Sequence, residues 1–238
     1  MTLRYVFILL TYAIVQLGLP FLIVPVLLML GFNTEAELLG ITTVFSFTVG
    51  LIVILILLKP ERELGGGLRR TKSSAGMTIV WSIVGVFLVF FAQYLAAIIE
   101  LLLGIDPGSE NTQQLVEYAR AFPLIILAIA VVGPILEEIV FRKVLFGWVY
   151  VRTNFWVAAL FSSLIFAVVH WDFTHILIYT AMGFSFAFLY VISGRLIVPI
   201  IAHVALNSFV VLTQVVFYDD IQRFLEEYDQ VVQLILGV

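Results

Sequence analysis

Long apolar runs alternate with short polar segments along the chain. A helix needs about 20 apolar residues to cross the hydrocarbon core of a bilayer, and seven runs meet or approach that length. They cover roughly residues 5–30, 38–58, 75–99, 122–149, 155–170, 176–192 and 197–217. The pattern predicts an all-α, polytopic bundle of about seven transmembrane helices, with the short fifth and sixth runs forming a tight antiparallel hairpin.

Beyond the last run, apolar residues recur at spacings of three and four, with Asp and Glu between them. They are Ile221, Phe224, Leu225, Tyr228, Val231, Val232 and Ile235. Such a pattern predicts an amphipathic helix over 219–238 that lies at the membrane interface. A helix packed against the protein itself fits the same pattern equally well.

Composition indicates a single membrane domain over residues 1–238. Of the 238 residues, 63% are hydrophobic and only 12% are charged, whereas a soluble domain is about half apolar and a quarter charged. The polar segments leave no room for a large soluble domain. The chain has no cysteine, which excludes disulfides, thiol nucleophiles and cysteine-ligated zinc.

Positive charges predict the orientation, because Lys and Arg accumulate in the cytoplasmic loops of membrane proteins. If the N-terminus is cytoplasmic and seven spans alternate, ten of the twelve Lys and Arg residues lie on the inner side or in the inner halves of helices. Only Arg120 and Arg223 then lie outside. We therefore expect a multi-pass protein of the cell membrane with a cytoplasmic N-terminus.

Three short polar patterns interrupt the apolar runs of the second half. They are Glu-Glu-x-x-x-Arg at 137–142, Phe-x-x-x-His at 166–170 and His-x-x-x-Asn at 203–207. Ionisable groups are costly inside a bilayer, so carboxylates and histidines at these positions indicate a functional site. Together the three patterns look like parts of one acid–base or metal site.

Glu137 and Glu138 cannot do the same work, since adjacent residues of a helix point about 100° apart. Glu138 and Arg142 are spaced i,i+4 and can form an ion pair, which leaves Glu137 for chemistry as a general base. Gly133-Pro134 just before the pair can open the helix and make space beside the carboxylates. The alternative is a structural Glu–Arg bridge, with the second glutamate satisfied by its neighbours.

The histidines of the patterns have a structural and a functional interpretation. In the structural interpretation, His170 and His203 each form hydrogen bonds within the bundle and have no other role. Asn207, one turn after His203, favours chemistry, because its amide can donate to a carbonyl oxygen or to the oxyanion that it becomes. Glu137, His170 and His203 could also hold a zinc ion, although the chain has no H-E-x-x-H sequence.

Two further expectations concern depth in the membrane. Counting about 1.5 Å per residue separates His170 and His203 by roughly 10 Å. A common site therefore requires the fifth helix to begin deeper or to tilt, or the seventh helix to begin before Ile197. Outside the patterns, we expect His175 to be interfacial and structural and Glu100 to lie at the interface. Asp172 is two residues past His170 and could orient it, but its position in a loop favours a solvated side chain.

The three patterns, in this order on successive membrane helices, resemble the signature of the CAAX protease and bacteriocin-processing family (CPBP, or Abi), which includes the Rce1-type prenyl-protein proteases. The resemblance implies a bacterial intramembrane endopeptidase. By this resemblance Glu137 would activate the attacking water, and His170 would help to hold and deprotonate it. His203 and Asn207 would stabilise the tetrahedral oxyanion, and the Glu138–Arg142 pair would support the site.

The resemblance also implies a peptide or membrane protein as substrate, the lipid bilayer as surroundings and no nucleic-acid partner. Members of the family are described both as zinc-type and as glutamate-dependent proteases, so zinc is a candidate cofactor. Two other functions fit the same residues. The chain could be a catalytically inactive scaffold or regulator of the immunity type, or a proton-coupled transporter in which Glu137, His170 and His203 form a relay.

Overall fold

The computed structural model describes residues 3–63, 72–106 and 110–217, together with Asp220 and Arg223. All regular structure within these residues is helical, which confirms the polytopic all-α bundle predicted from the apolar pattern. The amphipathic helix predicted over 219–238 lies outside the described residues, apart from Asp220 and Arg223, and it stays a prediction.

Eight helical stretches follow one another in the described residues. In chain order they are α1 (Leu3–Met29), α2 (Glu35–Glu63), α3 (Ala75–Leu102), α4 (Glu110–Ala121), α5 (125–150), α6 (Phe155–Val168), α7 (Ile176–Ser193) and α8 (Ile197–Val216). Among the described residues, five helices are long and apolar enough to cross a membrane. They are α1, α2, α3, α7 together with the turn before it, and α8. The shorter α6 is also apolar, and α5 carries the charges of the first pattern. Each predicted span corresponds to one of these helices, and the polar α4 is an addition that the apolar runs do not predict.

α5 is a continuous run of helical turns that changes its hydrogen-bond register. π-helical turns at Ala128–Val132 and Glu138–Phe146 flank a short α-helical segment at Gly133–Glu137. Pro134 lies in that segment, and a proline has no N–H and clashes with the carbonyl of the preceding turn. The π register accommodates it, since each hydrogen bond then reaches five residues back. The opening of the helix that is predicted at Gly133-Pro134 therefore takes the form of π turns, one stretch before and one after the α-helical segment that ends at Glu137.

α5 lies in the middle of the bundle, where it contacts α1, α2, α6, α7 and α8. The rings of Phe141, Phe166 and Phe186 are fully buried in this core. Side chains on the outside of the bundle are apolar as well, for example Phe21 and Phe87, as expected for surfaces that face lipid tails. Glu138 and Arg142 of α5 are fully buried, so these two charges are enclosed by protein and not by lipid.

α6 and α7 pack closely as a hairpin. Their backbones approach tightly where Gly183 of α7 faces Ser163 of α6, because a Cβ at Gly183 would lie 3.0 Å from the Ser163 Cα. The connection between the two helices, 169–175, folds against the end of α3 through His175. This inward fold keeps His170, at the start of the connection, against the interior of the bundle.

Candidate active site

Glu138 joins the first and third polar patterns. Its carboxylate is fully buried, with Oε1 accepting a hydrogen bond from His203 Nδ1 at 2.9 Å and Oε2 lying 3.2 Å from Arg142 Nε. The second contact is the i,i+4 pair that the spacing predicts. Because an ionised carboxylate can only accept, His203 carries a hydrogen on Nδ1.

Arg142 is fully buried, so its charge needs compensation inside the protein. Arg142 Nε lies at ion-pair distance from Glu138 Oε2, but the angle of this contact does not meet that of a hydrogen bond. The guanidinium carbon also lies 4.6 Å from the centre of the Phe166 ring and 5.0 Å from that of Phe186, and aromatic faces attract such a cation. These contacts suit a residue that holds Glu138 in place.

Glu137 faces the other ring nitrogen of the same histidine. Its Oε2 lies 3.6 Å from His203 Nε2, and 15% of its side chain is exposed, against none for Glu138. The His203 ring is held by stacking on Phe186, with 4.5 Å between the ring centres. The two glutamates therefore have different surroundings, as their angular separation predicts, and Glu137 is the more open of the two.

His170 lies on the turn that follows α6. Its Nδ1 donates to the carbonyl of Phe166 at 2.7 Å, which leaves a lone pair on Nε2. The ring lies between Phe166 and Tyr179, with ring centres 4.5 Å and 4.2 Å away. The centre of the same Phe166 ring lies 5.8 Å from that of His203. His170 is also close enough to Glu137 for the charge of the carboxylate to act on its ring. The two histidines thus share one aromatic neighbour, although the depth count alone separates them.

Asn207 has a partner in α5 that its own pattern does not predict. Its Nδ2 donates to the carbonyl of Ile129 at 3.0 Å. In the π register the N–H of Gly133 bonds to the carbonyl of Ala128. The carbonyl of Ile129 would pair with the next residue, Pro134, but a proline has no N–H to donate. The Ile129 carbonyl therefore lacks a helical donor, and Asn207 supplies one. An amide nitrogen carries two hydrogens, so the second is available for another acceptor.

Tyr12 of α1 is a neighbour of the site that the polar patterns miss. Its ring packs edge-on against Phe141 with centres 5.7 Å apart, and its hydroxyl accepts a hydrogen bond from Gln16 at 3.2 Å. Tyr12 is also within electrostatic reach of Glu137 and Arg142. The signal that could have found it is the i,i+4 pair of polar side chains inside an otherwise apolar first run.

One expectation for the α6–α7 connection is wrong, since Asp172 is buried and not solvated. Glu100 and His175 are buried in the protein as well, with 3% of Glu100 exposed, and Glu100 accepts a hydrogen bond from His175 Nδ1 at 2.7 Å. The physical reason for this burial is that the connection folds back onto the end of α3, which a count of apolar residues cannot show. The place of Glu100 and His175 at the membrane interface stays a prediction.

Zinc, which the family resemblance suggests, stays a candidate cofactor. Among the described residues, no three His, Cys, Asp or Glu side chains lie in an arrangement that already holds a metal ion. The hydrogen bonds of His170 and His203 use Nδ1 of each ring, so Nε2 of both rings and the carboxylate of Glu137 are the atoms that could bind zinc. The reaction proposed for the site uses side chains and water.

The fold and the cluster together define a membrane-embedded helical bundle with a buried carboxylate–histidine site. The family model described as type II CAAX prenyl endopeptidase Rce1-like matches residues 119–209, which include all three polar patterns. The chain belongs to this CPBP family of membrane proteases, as a bacterial member.

Similarity to named proteins extends over nearly the whole chain. The putative membrane peptidase YdiL of Bacillus subtilis (strain 168) is 43% identical over 244 residues, which span 98% of this chain and 97% of that protein. The membrane-embedded CAAX protease MroQ of Staphylococcus aureus (strain USA300) is 35% identical over 219 residues, or 88% of each protein. The UPF0177 protein YxdF of Lactococcus lactis is 28% identical over 134 residues, or 55% of this chain and 74% of that protein. No solved structure matches the chain.

Proposed function

We propose that the protein is an intramembrane endopeptidase that hydrolyses a peptide bond in a membrane-associated peptide or protein, using water activated by Glu137 and His170. The observation that carries the proposal is the contact of Glu137 with His203, whose other nitrogen is held by a second, buried glutamate. A base next to a histidine that a carboxylate orients is a recurring arrangement in hydrolases. The relatives named as membrane peptidases support the same reaction class.

The first step is attack of water on the peptide carbonyl. Glu137 takes one proton from the water as general base. The lone pair on His170 Nε2 accepts the hydrogen bond of the second water proton and so orients the attacking oxygen. As the new C–O bond forms, the carbonyl π electrons move to the oxygen and give a tetrahedral oxyanion.

His203 and Asn207 stabilise that oxyanion. His203 donates to it from Nε2 when this nitrogen carries a proton shared with Glu137, and the buried Glu138 balances the charge of the ring. Asn207 contributes the amide hydrogen that is not bonded to Ile129. Preorganised donors of this kind each lower the barrier by about 3 kcal/mol.

The second step breaks the C–N bond of the substrate. The proton held by Glu137 moves to the leaving amine nitrogen as the oxyanion electrons re-form the carbonyl, which yields a carboxylic acid and an amine. Glu137 returns to its ionised form. Glu138 and Arg142 touch none of the reacting atoms in this scheme, and they act by holding His203.

Cleavage by the purified protein tests the proposal. Wild-type protein in lipid vesicles is expected to cleave a membrane-anchored peptide, and Glu137→Ala, His170→Ala and His203→Ala are each expected to lower the rate by about a hundredfold or more. Ser82→Ala is the matched control, since this buried serine of α3 donates within its own helix. Cleavage that survives Glu137→Ala would contradict the assigned base. A folded wild-type protein that cleaves nothing would favour the scaffold function.

Metal dependence is measured in the same assay. A mechanism that uses only side chains and water predicts that a chelator leaves the cleavage rate unchanged. A loss of activity that added zinc restores would favour the metal-dependent alternative, in which Glu137, His170 and His203 are the candidate ligands.

A further inference from the structure

A second buried ionisable pair lies apart from the three polar patterns. Glu100, near the end of α3, accepts a hydrogen bond from His175 Nδ1 at 2.7 Å, with 3% and 5% of the two side chains exposed. The two residues are 75 positions apart in the chain, so the pair ties α3 to the turn that precedes α7. The proposed reaction makes no direct use of either side chain.

The same carboxylate also holds the first turn of α7. Glu100 Oε1 accepts a hydrogen bond from the backbone N–H of Ile178 at 3.3 Å. Ile178 is the third residue of α7, and the first N–H groups of a helix have no partner within the helix. A negative charge is also favourable at a helix N-terminus. One side chain therefore fixes both the turn before α7 and the start of the helix.

The segment that Glu100 holds is the one that carries His170. The ring of His170 stacks on Tyr179, the residue after Ile178, with 4.2 Å between centres. Trp171, directly after His170, has a φ of 57°, a left-handed conformation that is costly for a bulky residue and persists only where surrounding contacts hold it. Contacts at the far end of this connection, at His175, therefore bear on where His170 lies.

We propose that Glu100 and His175 are positioning residues for the reaction, which hold the α6–α7 connection and the start of α7 and thereby set the position of the His170 ring. This inference rests on the proposed function, since it concerns the residue that orients the attacking water. A misplacement of about 1 Å in a reacting geometry can cost about a hundredfold in rate. Loss of the pair should therefore lower kcat and leave KM nearly unchanged, because neither residue is placed against the substrate.

Steady-state kinetics in lipid vesicles test the effect on the reaction. Glu100→Gln and His175→Leu are each expected to lower kcat by about tenfold to a hundredfold, with KM within about twofold of wild type. His175→Asn is expected to recover most of kcat, because its amide can donate from near the position of Nδ1. Ser82→Ala, on the same helix as Glu100, is the control with wild-type kcat. Wild-type kcat in Glu100→Gln and His175→Leu overturns the proposal.

Ring-nitrogen NMR gives a readout that does not need activity. The chain has three histidines, so nitrogen-15 labelling gives three imidazole spectra, which His170→Ala and His175→Asn assign. In Glu100→Gln the His170 signals are expected to move together with those of His175, and in Ser82→Ala neither set moves. An unmoved His170 overturns the proposal even if kcat falls, since the loss then has another cause.

The two measurements also separate this inference from the proposed function. If wild-type protein cleaves and Glu137→Ala does not, the proposed function stands whatever Glu100→Gln does. If wild-type protein cleaves nothing, the proposed function fails, and the positioning role in that reaction fails with it, while the spectrum still reports whether Glu100 sets the surroundings of His170. Should Glu100→Gln fail to fold, His175→Leu provides the same two readouts.

Discussion

The contacts of Glu137 and Glu138 are predictable from the sequence only where they lie within one helix. The i,i+4 spacing predicts that Glu138 pairs with Arg142 and that Glu137 stays available, and Glu138 forms this pair. The contact of Glu138 with His203 could not be predicted, because it joins residues 65 positions apart. Their approach depends on how α5 and α8 pack.

Substitutions of the two glutamates should affect stability and activity differently. Glu138→Ala leaves the buried charge of Arg142 without its partner, so we expect a loss of about 3 to 5 kcal/mol in the free energy of unfolding. Glu137→Gln keeps the size of the side chain and leaves that pair intact, so it should unfold like wild type and lose cleavage. Chemical unfolding in detergent micelles, followed by circular dichroism, measures the difference. Equal stability of the two variants would contradict the supporting role of Glu138.

At the scale of the helix, the mixed register of α5 links two parts of the chain that look independent in sequence. Pro134 removes the N–H that the Ile129 carbonyl would use in the π register, and Asn207 of α8 donates to that carbonyl. The sequence shows the proline and predicts a disturbed helix. It does not show which carbonyl loses its donor, because that depends on whether the turns are α or π.

This link predicts energetic coupling between positions 134 and 207. Asn207→Leu should destabilise the wild-type protein by about 1 to 3 kcal/mol, because a partly buried carbonyl loses its donor. In a Pro134→Ala background the helix can supply its own N–H, so the same substitution should cost less. Free energies of unfolding for the four members of the double-mutant cycle measure the coupling. Additive effects would contradict the assignment of Asn207 to the Ile129 carbonyl.

At the scale of the molecule, the apolar runs predict the order of the membrane helices well, because crossing a bilayer constrains both their length and their composition. They do not predict how the helices are offset. Depth counting treats each helix as straight and upright, whereas α6 is short and its connection to α7 folds inward onto α3. The burial of Glu100 and His175 depends on that fold, so it could not be read from hydropathy.

The charge distribution predicts a cytoplasmic N-terminus, and labelling can measure it. Because the chain has no cysteine, single cysteines can be placed at Lys72, before α3, and at Asp106, after it. A membrane-impermeant maleimide applied to intact cells should label Asp106→Cys and spare Lys72→Cys, and it should label both once the cells are opened. The reverse pattern in intact cells would show that the predicted orientation is wrong.

The central claim is that Glu137 is the base of a membrane peptidase. Its most direct test is the rate at which Glu137→Gln hydrolyses a membrane-anchored peptide, compared with wild type in the same vesicles and at equal amounts of folded protein. We predict a rate at least about a hundredfold below that of wild type, with unfolding unchanged. A folded Glu137→Gln variant that hydrolyses the peptide at the wild-type rate would contradict the claim.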